Sequence, residues 1–237
     1  MAITESRNRG ITEEELIVHT DPATAPAPVL ALLHTSPVHI PVFEALRERD
    51  HPALTLRHHV DETLLARARV EGPEAVGDAV EAALAEAAAG AAAVLCTCST
   101  IGGVAEARAA AVGVPVLRVD RPMAAAAVAE GPAVAVVATV ESTLAPTVAL
   151  VEEEAARAGR AADVRTVVVP GAWECFEAGD QEGYLGLVAG AVDAVAGGVD
   201  AVLLAQASMA EAVGRVTTRV PVLASPRLGL SGVARLV

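Results

Sequence analysis

The sequence predicts an α/β protein of two similar lobes, each a four-stranded parallel sheet flanked by helices, the two related by pseudo-twofold symmetry. Three observations lead to this prediction. Short runs of Val, Leu and Ala alternate with longer stretches rich in Ala, Glu and Arg, as in βαβ units. Most of the short runs are continuously apolar, which is typical of parallel strands covered on both faces. Finally, the whole pattern occurs twice.

Turn residues separate eight apolar runs that we predict to be strands. They span 29–34, 53–58, 93–98, 114–119, 133–139, 164–169, 201–206 and 220–224. Helices are predicted between them, for example over 73–89, 104–111 and 144–158. Because aromatic residues make up only 2% of the chain, small aliphatic side chains must fill the core between helices and strands.

An internal repeat sets the predicted lobe boundaries. Residues 94–101 are matched 108 residues later (202 minus 94) by residues 202–209, and Val-Pro-Val-Leu follows each segment. The repeat predicts lobe 1 over 28–121 and lobe 2 over 122–226. We expect a flexible tail over 1–27 and a C-terminal helix over 227–237 that packs back on lobe 1.

The composition argues against several classes of partner. Seventeen Lys and Arg against thirty Asp and Glu give a net charge of −13. Nucleic acids and anionic membrane surfaces are bound through clustered cations, so neither partner is expected. Three cysteines are too few for a disulfide scaffold, and the first residues lack the pattern of a secretory signal. We therefore expect a cytoplasmic protein, and the sequence is compatible with a homo-oligomer.

Polar residues follow the predicted strands, at the end where parallel sheets bind ligands. Because two facing lobes would present these ends to one cleft, we expect a cradle for a small carboxylate. Ordinary helix capping is the alternative use of such residues, although a capped helix also offers free N–H groups to an anion. The candidate site residues are His34, Thr35, Ser36, Cys98, Ser99, Thr100, Thr139, Ser142, Thr143, Gln206, Ala207 and Ser208.

Cys98 is the candidate for catalysis. A thiol between a strand and a helix N-terminus is favoured as the reactive thiolate, whereas a small buried hydrophobe is its alternative role. We expect that structural role for Cys96, which lies deeper on the same face, and for Cys175. The chain has no phosphate-binding loop, no nucleophile elbow and no Cys-x2-Cys pairs. Neither a cofactor nor a metal is therefore expected.

The chain resembles the aspartate/glutamate/hydantoin racemase superfamily in segments 94–102, 134–147 and 202–209, within a similarity that covers about residues 28–226. The resemblance implies a two-lobed, cofactor-independent enzyme that uses two cysteines on opposite faces of its substrate to move a proton next to a carboxylate. Since Cys98-Ser99-Thr100 matches the first cysteine motif, it also implies that Cys98 is one acid/base. The second cysteine falls at Gln206, whose amide donates hydrogen bonds but does not transfer protons.

Three functions are compatible with a glutamine in place of the second cysteine. The first, which we prefer because the resemblance covers nearly the whole chain, is a racemase-like isomerase whose second proton donor is His34, His58 or His59. The second is a single-cysteine decarboxylase of the same superfamily, in which Cys98 protonates a carbanion. The third is a non-catalytic, two-lobed protein that binds a small carboxylate.

Overall fold

The computed structural model describes residues 27–237, so the predicted tail lies outside the described residues apart from Ala27. The first lobe is built on four parallel strands in the order β2-β1-β3-β4. These strands are β1 (Val29–His34), β2 (Thr55–Val60), β3 (Ala93–Cys96) and β4 (Val116–Arg118). The helices between and after them are α1 (Ile40–Asp50), α2 (Glu62–Glu71), α3 (Gly77–Ala88), α4 (Ser99–Ala107), α5 (Ala109–Val112) and α6 (Arg121–Glu130).

The second lobe repeats this arrangement with the strand order β6-β5-β7-β8, again all parallel. Its strands are β5 (Ala133–Ala138), β6 (Asp163–Val168), β7 (Ala201–Leu204) and β8 (Val222–Ala224). Its helices are α7 (Leu144–Arg157), α8 (Ala172–Glu177), α9 (Gln181–Val195) and α10 (Ser225–Val233). Two similar lobes with flanked four-stranded parallel sheets confirm the predicted fold class.

All eight predicted strands are present, but β3 and β7 each end two residues earlier than predicted, at Cys96 and Leu204. The reason is the same in both lobes: Cys98 and Gln206 are the N-caps of the helices that follow. Those helices differ, because α4 is an α-helix whereas residues Ala207–Gly214 form a 3-10 helix.

Strand register shows which positions of the two lobes correspond. Cys96 pairs with Leu33 on one side and Arg118 on the other. Leu204 pairs in the same way with Val137 and Ala224. Because Cys98 and Gln206 each lie two residues beyond these paired positions, they occupy equivalent places in the two lobes.

Each sheet is covered by a helix that follows the last strand of the other lobe. Helix α6 follows β4, yet its Met123 and Ala127 lie in one buried cluster with core residues of lobe 2, among them Leu203. Helix α10 follows β8, yet its Leu230 and Val233 lie in one buried cluster with core residues of lobe 1. Gly229 permits this close approach, since a Cβ atom there would collide with the carbonyl of Val119. The boundaries 28–121, 122–226 and 227–237 stay a prediction.

The helices of residues 27–237 include none with both the length and the apolar character that crossing a bilayer requires.

Candidate functional site

The carboxyl ends of the two sheets meet at a cleft of about 590 Å³, including its open mouth. Nine of the predicted site residues line it: Thr35, Ser36, Cys98, Ser99, Thr100, Thr143, Gln206, Ala207 and Ser208. The other three lie elsewhere. Ser142 lines a neighbouring groove between the lobes, Thr139 contacts Gln206, and His34 is fully buried behind the cleft.

Cys98 lies at the start of α4, where its backbone is extended and its side chain makes no capping hydrogen bond. Its residual exposure of 9% is exposure to the cleft. Cys96 differs, since it is completely buried and its Sγ lies 3.8 Å from the carbonyl oxygen of Cys98. Burial raises the pKa of the Cys96 thiol far above its ordinary value. Of these two thiols, only Cys98 therefore lines the cleft.

Gln206 has a fixed orientation. Its Oε1 accepts hydrogen bonds from the backbone N–H of Thr139 at 2.6 Å and from the Thr139 hydroxyl at 3.0 Å. Because both donors require the amide oxygen, the NH2 group points the other way, and it makes no hydrogen bond to any described residue. Gln206 thus offers the cleft a donor, which is the behaviour predicted for an amide at this position.

The loops that carry Cys98 and Gln206 are joined directly. The Ser99 hydroxyl donates to the carbonyl of Ala205 across the lobe boundary at 2.9 Å. Behind it, Arg118 donates to the Ser99 carbonyl at 3.2 Å and forms a buried, bidentate ion pair with Asp120. The Ser99 hydroxyl is consequently a structural link whose proton is not free for a ligand.

Ser208 is supported by a buried phenol. Its hydroxyl lies 2.7 Å from the Tyr184 hydroxyl, and burial raises the pKa of Tyr184. Tyr184 therefore stays protonated and fixes the orientation of Ser208 at the wall of the cleft.

The histidines proposed as second donors are not in the cleft. Thr97, His34, His58 and Glu44 form a chain of hydrogen bonds that leads away from it, with heavy-atom separations of 2.8, 2.8 and 3.0 Å. The Glu44 carboxylate only accepts, so the Nε2–H of His58 donates to it. At the other end of the chain, the Thr97 hydroxyl also donates to the carbonyl of Leu33 at 3.1 Å. Burial, with smaller contributions from His58 and His39, lowers the pKa of His34 to about 3. His34 is therefore a neutral, hydrogen-bonded core residue.

His59 is equally remote, because it lies on the edge strand β2 with its Nε2 3.8 Å from a carboxylate oxygen of Glu86. All three histidines thus lie outside the lining of the cleft.

Sequence reasoning missed several residues that do line the cleft, among them His39, Arg69, Trp173 and Phe176. Trp173 and Phe176 stack with ring centroids 5.0 Å apart, and the Arg69 guanidinium lies 5.2 Å from the Trp173 ring centre. Arg69 forms no ion pair with any carboxylate in residues 27–237. The scarcity of aromatic residues was an available signal, since three of the four gather beside this one cleft.

Within residues 27–237, no three His, Cys, Asp or Glu side chains are grouped so that they could hold a metal ion.

The family profile described as Asp/Glu/Hydantoin racemase matches residues 39–231 of the chain. No curated protein sequence matches it.

Solved structures of three enzymes resemble the fold. Aspartate racemase from Picrophilus torridus is 15% identical over 88% of this chain and 94% of its own, with a TM-score of 0.64. A glutamate racemase isoform from Bacillus anthracis is 16% identical over 90% of this chain and 82% of its own, with a TM-score of 0.65. Unliganded arylmalonate decarboxylase is 18% identical over 88% of this chain and 92% of its own, with a TM-score of 0.54. At these identities the likeness is one of fold.

Proposed function

Because the chain belongs to the Asp/Glu/hydantoin racemase family, we propose that it is an isomerase that moves a proton at the carbon next to the carboxylate of a small acid. Cys98 is the proposed acid/base, and the chemistry uses side chains rather than a cofactor. One observation carries the proposal: the thiol of Cys98, at the N-terminus of α4, shares its cleft with the outward-facing amide donors of Gln206.

The charge that develops in such a reaction is matched by the donors of the cleft. Removing a proton next to a carboxylate moves an electron pair onto the carboxylate oxygens as an enolate. The Gln206 amide and the backbone N–H groups at the start of α4 can donate to these oxygens. Each well-placed donor is worth about 3 kcal/mol in the transition state.

Arg69 is the proposed source of attraction for the substrate anion. The chain carries a net charge of −13, which opposes the approach of an acid. A guanidinium at the mouth acts locally, because charges on the rest of the surface are screened beyond about 8–10 Å at physiological salt.

A decarboxylase is the second candidate, and Gln206 is the observation that favours it. An ordinary two-thiol racemase needs a proton-transfer group at this position, whereas a decarboxylase needs a proton on one face only. Loss of CO2 leaves its bonding electron pair on the α-carbon, and the Cys98 thiol would supply the proton that forms the new C–H bond.

The deciding experiment incubates the protein in D2O with the separate enantiomers of aspartate, glutamate and a 5-alkylhydantoin, and with a substituted malonate. NMR follows deuterium at the α-carbon, and a coupled assay follows CO2. Cys98→Ala is the test variant and Cys175→Ala its matched control, because Cys175 packs with its lobe's core and does not line the cleft.

An isomerase interconverts enantiomers with α-deuteration, and Cys98→Ala lowers this rate at least roughly 100-fold, whereas Cys175→Ala does not. CO2 release from the malonate without racemisation selects the decarboxylase. Thermal stabilisation by a carboxylate, with neither exchange nor CO2, would identify a binding protein and refute the proposed catalysis.

A further inference from the structure

We propose that His39 is the second proton-transfer group of this site and acts on the face of the substrate opposite Cys98. The inference rests on the proposed function, since it needs an acid whose α-proton is exchanged in the cleft. His39 would supply the proton transfer that the amide of Gln206 cannot perform, and it comes from a different part of the chain.

The position of His39 follows from the turn after β1. Residues Pro37–His39 form a 3-10 helix, and His39 is the N-cap of α1. The cleft is lined by both His39 and Cys98. His39 also borders a second depression together with Ala207 and Ser208, which Cys98 does not reach. His39 therefore lies towards the wall that the loop after β7 provides, the wall to which the family resemblance assigns the second cysteine.

The imidazole of His39 is in the state that a general base requires. Burial lowers its pKa below the usual 6.5, so the ring is neutral at pH 7 and can accept a proton. Neither ring nitrogen hydrogen-bonds to a described residue. A neutral, unengaged imidazole nitrogen facing a ligand site is well suited to proton transfer.

Each of the other described histidines lies beside a polar side chain outside the cleft. His34 and His58 are bonded into the chain that ends at Glu44, and His51 lies 3.1 Å from the Ser231 hydroxyl. His59 lies beside Glu86, away from the cleft. Among the histidines of residues 27–237, His39 alone lines the cleft.

The step balances with these two groups. An imidazole nitrogen of His39 removes the proton from the α-carbon, and the C–H electron pair becomes the enolate. The Cys98 thiol then gives its proton to the opposite face, which forms the new C–H bond and inverts the centre. Imidazolium and thiolate remain, and this form either catalyses the reverse direction or exchanges protons with solvent to return to the starting state.

The test measures stereospecific exchange in D2O with the separate enantiomers of aspartate, glutamate and the 5-alkylhydantoin. His39→Gln is the test variant, with His39→Asn as a second replacement and thermal unfolding as a check of folding. His59→Gln is the matched control, because it makes the same change at a half-exposed histidine outside the cleft.

We expect His39→Gln to lower racemisation at least roughly 100-fold while one enantiomer still acquires deuterium with retention, through Cys98. Cys98→Ala should show the converse: only the other enantiomer should acquire deuterium, with retention of configuration, through His39. His59→Gln should racemise at the wild-type rate.

Two results overturn the inference in distinguishable ways. If folded His39→Gln and His39→Asn racemise as fast as wild type while Cys98→Ala is inactive, His39 has no catalytic role and the proposed function stands. If wild type exchanges no α-proton of any acid tested, the proposed function fails and the role of His39 falls with it.

Discussion

The two lobes share a strand order but differ in chemistry at the carboxyl ends of their strands. Lobe 1 carries His34, Thr97, Cys98 and Arg118 there, all of them buried. The equivalent positions of lobe 2 are Ala138, Ala205, Gln206 and Ala224. The repeated scaffold is held by apolar runs that are common to both lobes. Near the candidate acid/base, the buried polar side chains of His34, Thr97 and Arg118 have only alanine counterparts in lobe 2.

The largest effect should come from breaking the buried pair that lobe 2 lacks. Asp120→Ala leaves Arg118 charged, buried and unpaired, and we expect the free energy of unfolding to fall by about 3–5 kcal/mol. Urea denaturation measures this change. The exposed pair of Arg67 and Glu71 is the control, and Glu71→Ala should leave the free energy of unfolding nearly unchanged because solvent screens this pair. A loss below about 1 kcal/mol for Asp120→Ala would show that the pair does not support lobe 1.

The variant Gln206→Glu tests whether the amide that stands opposite Cys98 in the second lobe donates hydrogen bonds during catalysis. A carboxylate can still accept both hydrogen bonds from Thr139, but it replaces the free NH2 donors with an acceptor. We expect kcat to fall roughly 100-fold, or about 3 kcal/mol, with little change in thermal unfolding. Gln181→Glu makes the same chemical change at an exposed position and should leave kcat unaltered. Full activity of Gln206→Glu would exclude amide donation from the mechanism.

His34, whose counterpart in lobe 2 is Ala138, should make the free energy of unfolding depend on pH. The folded chain holds the pKa of His34 at about 3, so between that pH and 6.5 only the unfolded chain binds the proton. Stability should therefore fall as the pH falls, by about 1.4 kcal/mol per pH unit for this group. Burial of His39 acts in the same direction.

Unfolding free energies between about pH 6.5 and 5.5 test this effect above the range in which carboxylates with ordinary pKa values titrate. His34→Gln should reduce the slope against pH by about 1.4 kcal/mol per unit. An unchanged slope would mean that His34 binds its proton equally well in the folded state.

The fold could be predicted because continuous Val, Leu and Ala runs identify buried parallel strands, and two copies of the pattern set the strand order twice. The cleft residues after β3 and β7 could be predicted for a related reason, since ligands bind where parallel strands end. His34 is the last residue of β1, as predicted, yet it does not line the cleft. Its side chain is directed to a buried position between His58 and Thr97 rather than to the cleft.

His39 and Arg69 could not be found in this way. His39 is the last residue of a short 3-10 helix that has no periodic pattern. Arg69 lies in the last turn of α2, where a basic residue is expected on any solvated helix. Their importance depends on where the lobes come together, which no local pattern in the sequence encodes.

The exchange of covering helices has a consequence for how the chain is made. Leu230 and Val233 complete the buried face of the first sheet, yet the ribosome adds them only after every strand of the second. One apolar face of the first sheet therefore stays incompletely covered until the strands of the second lobe and α10 have been made. A nascent chain stalled before α10 should accordingly be a preferred client for chaperones that recognise exposed aliphatic surface.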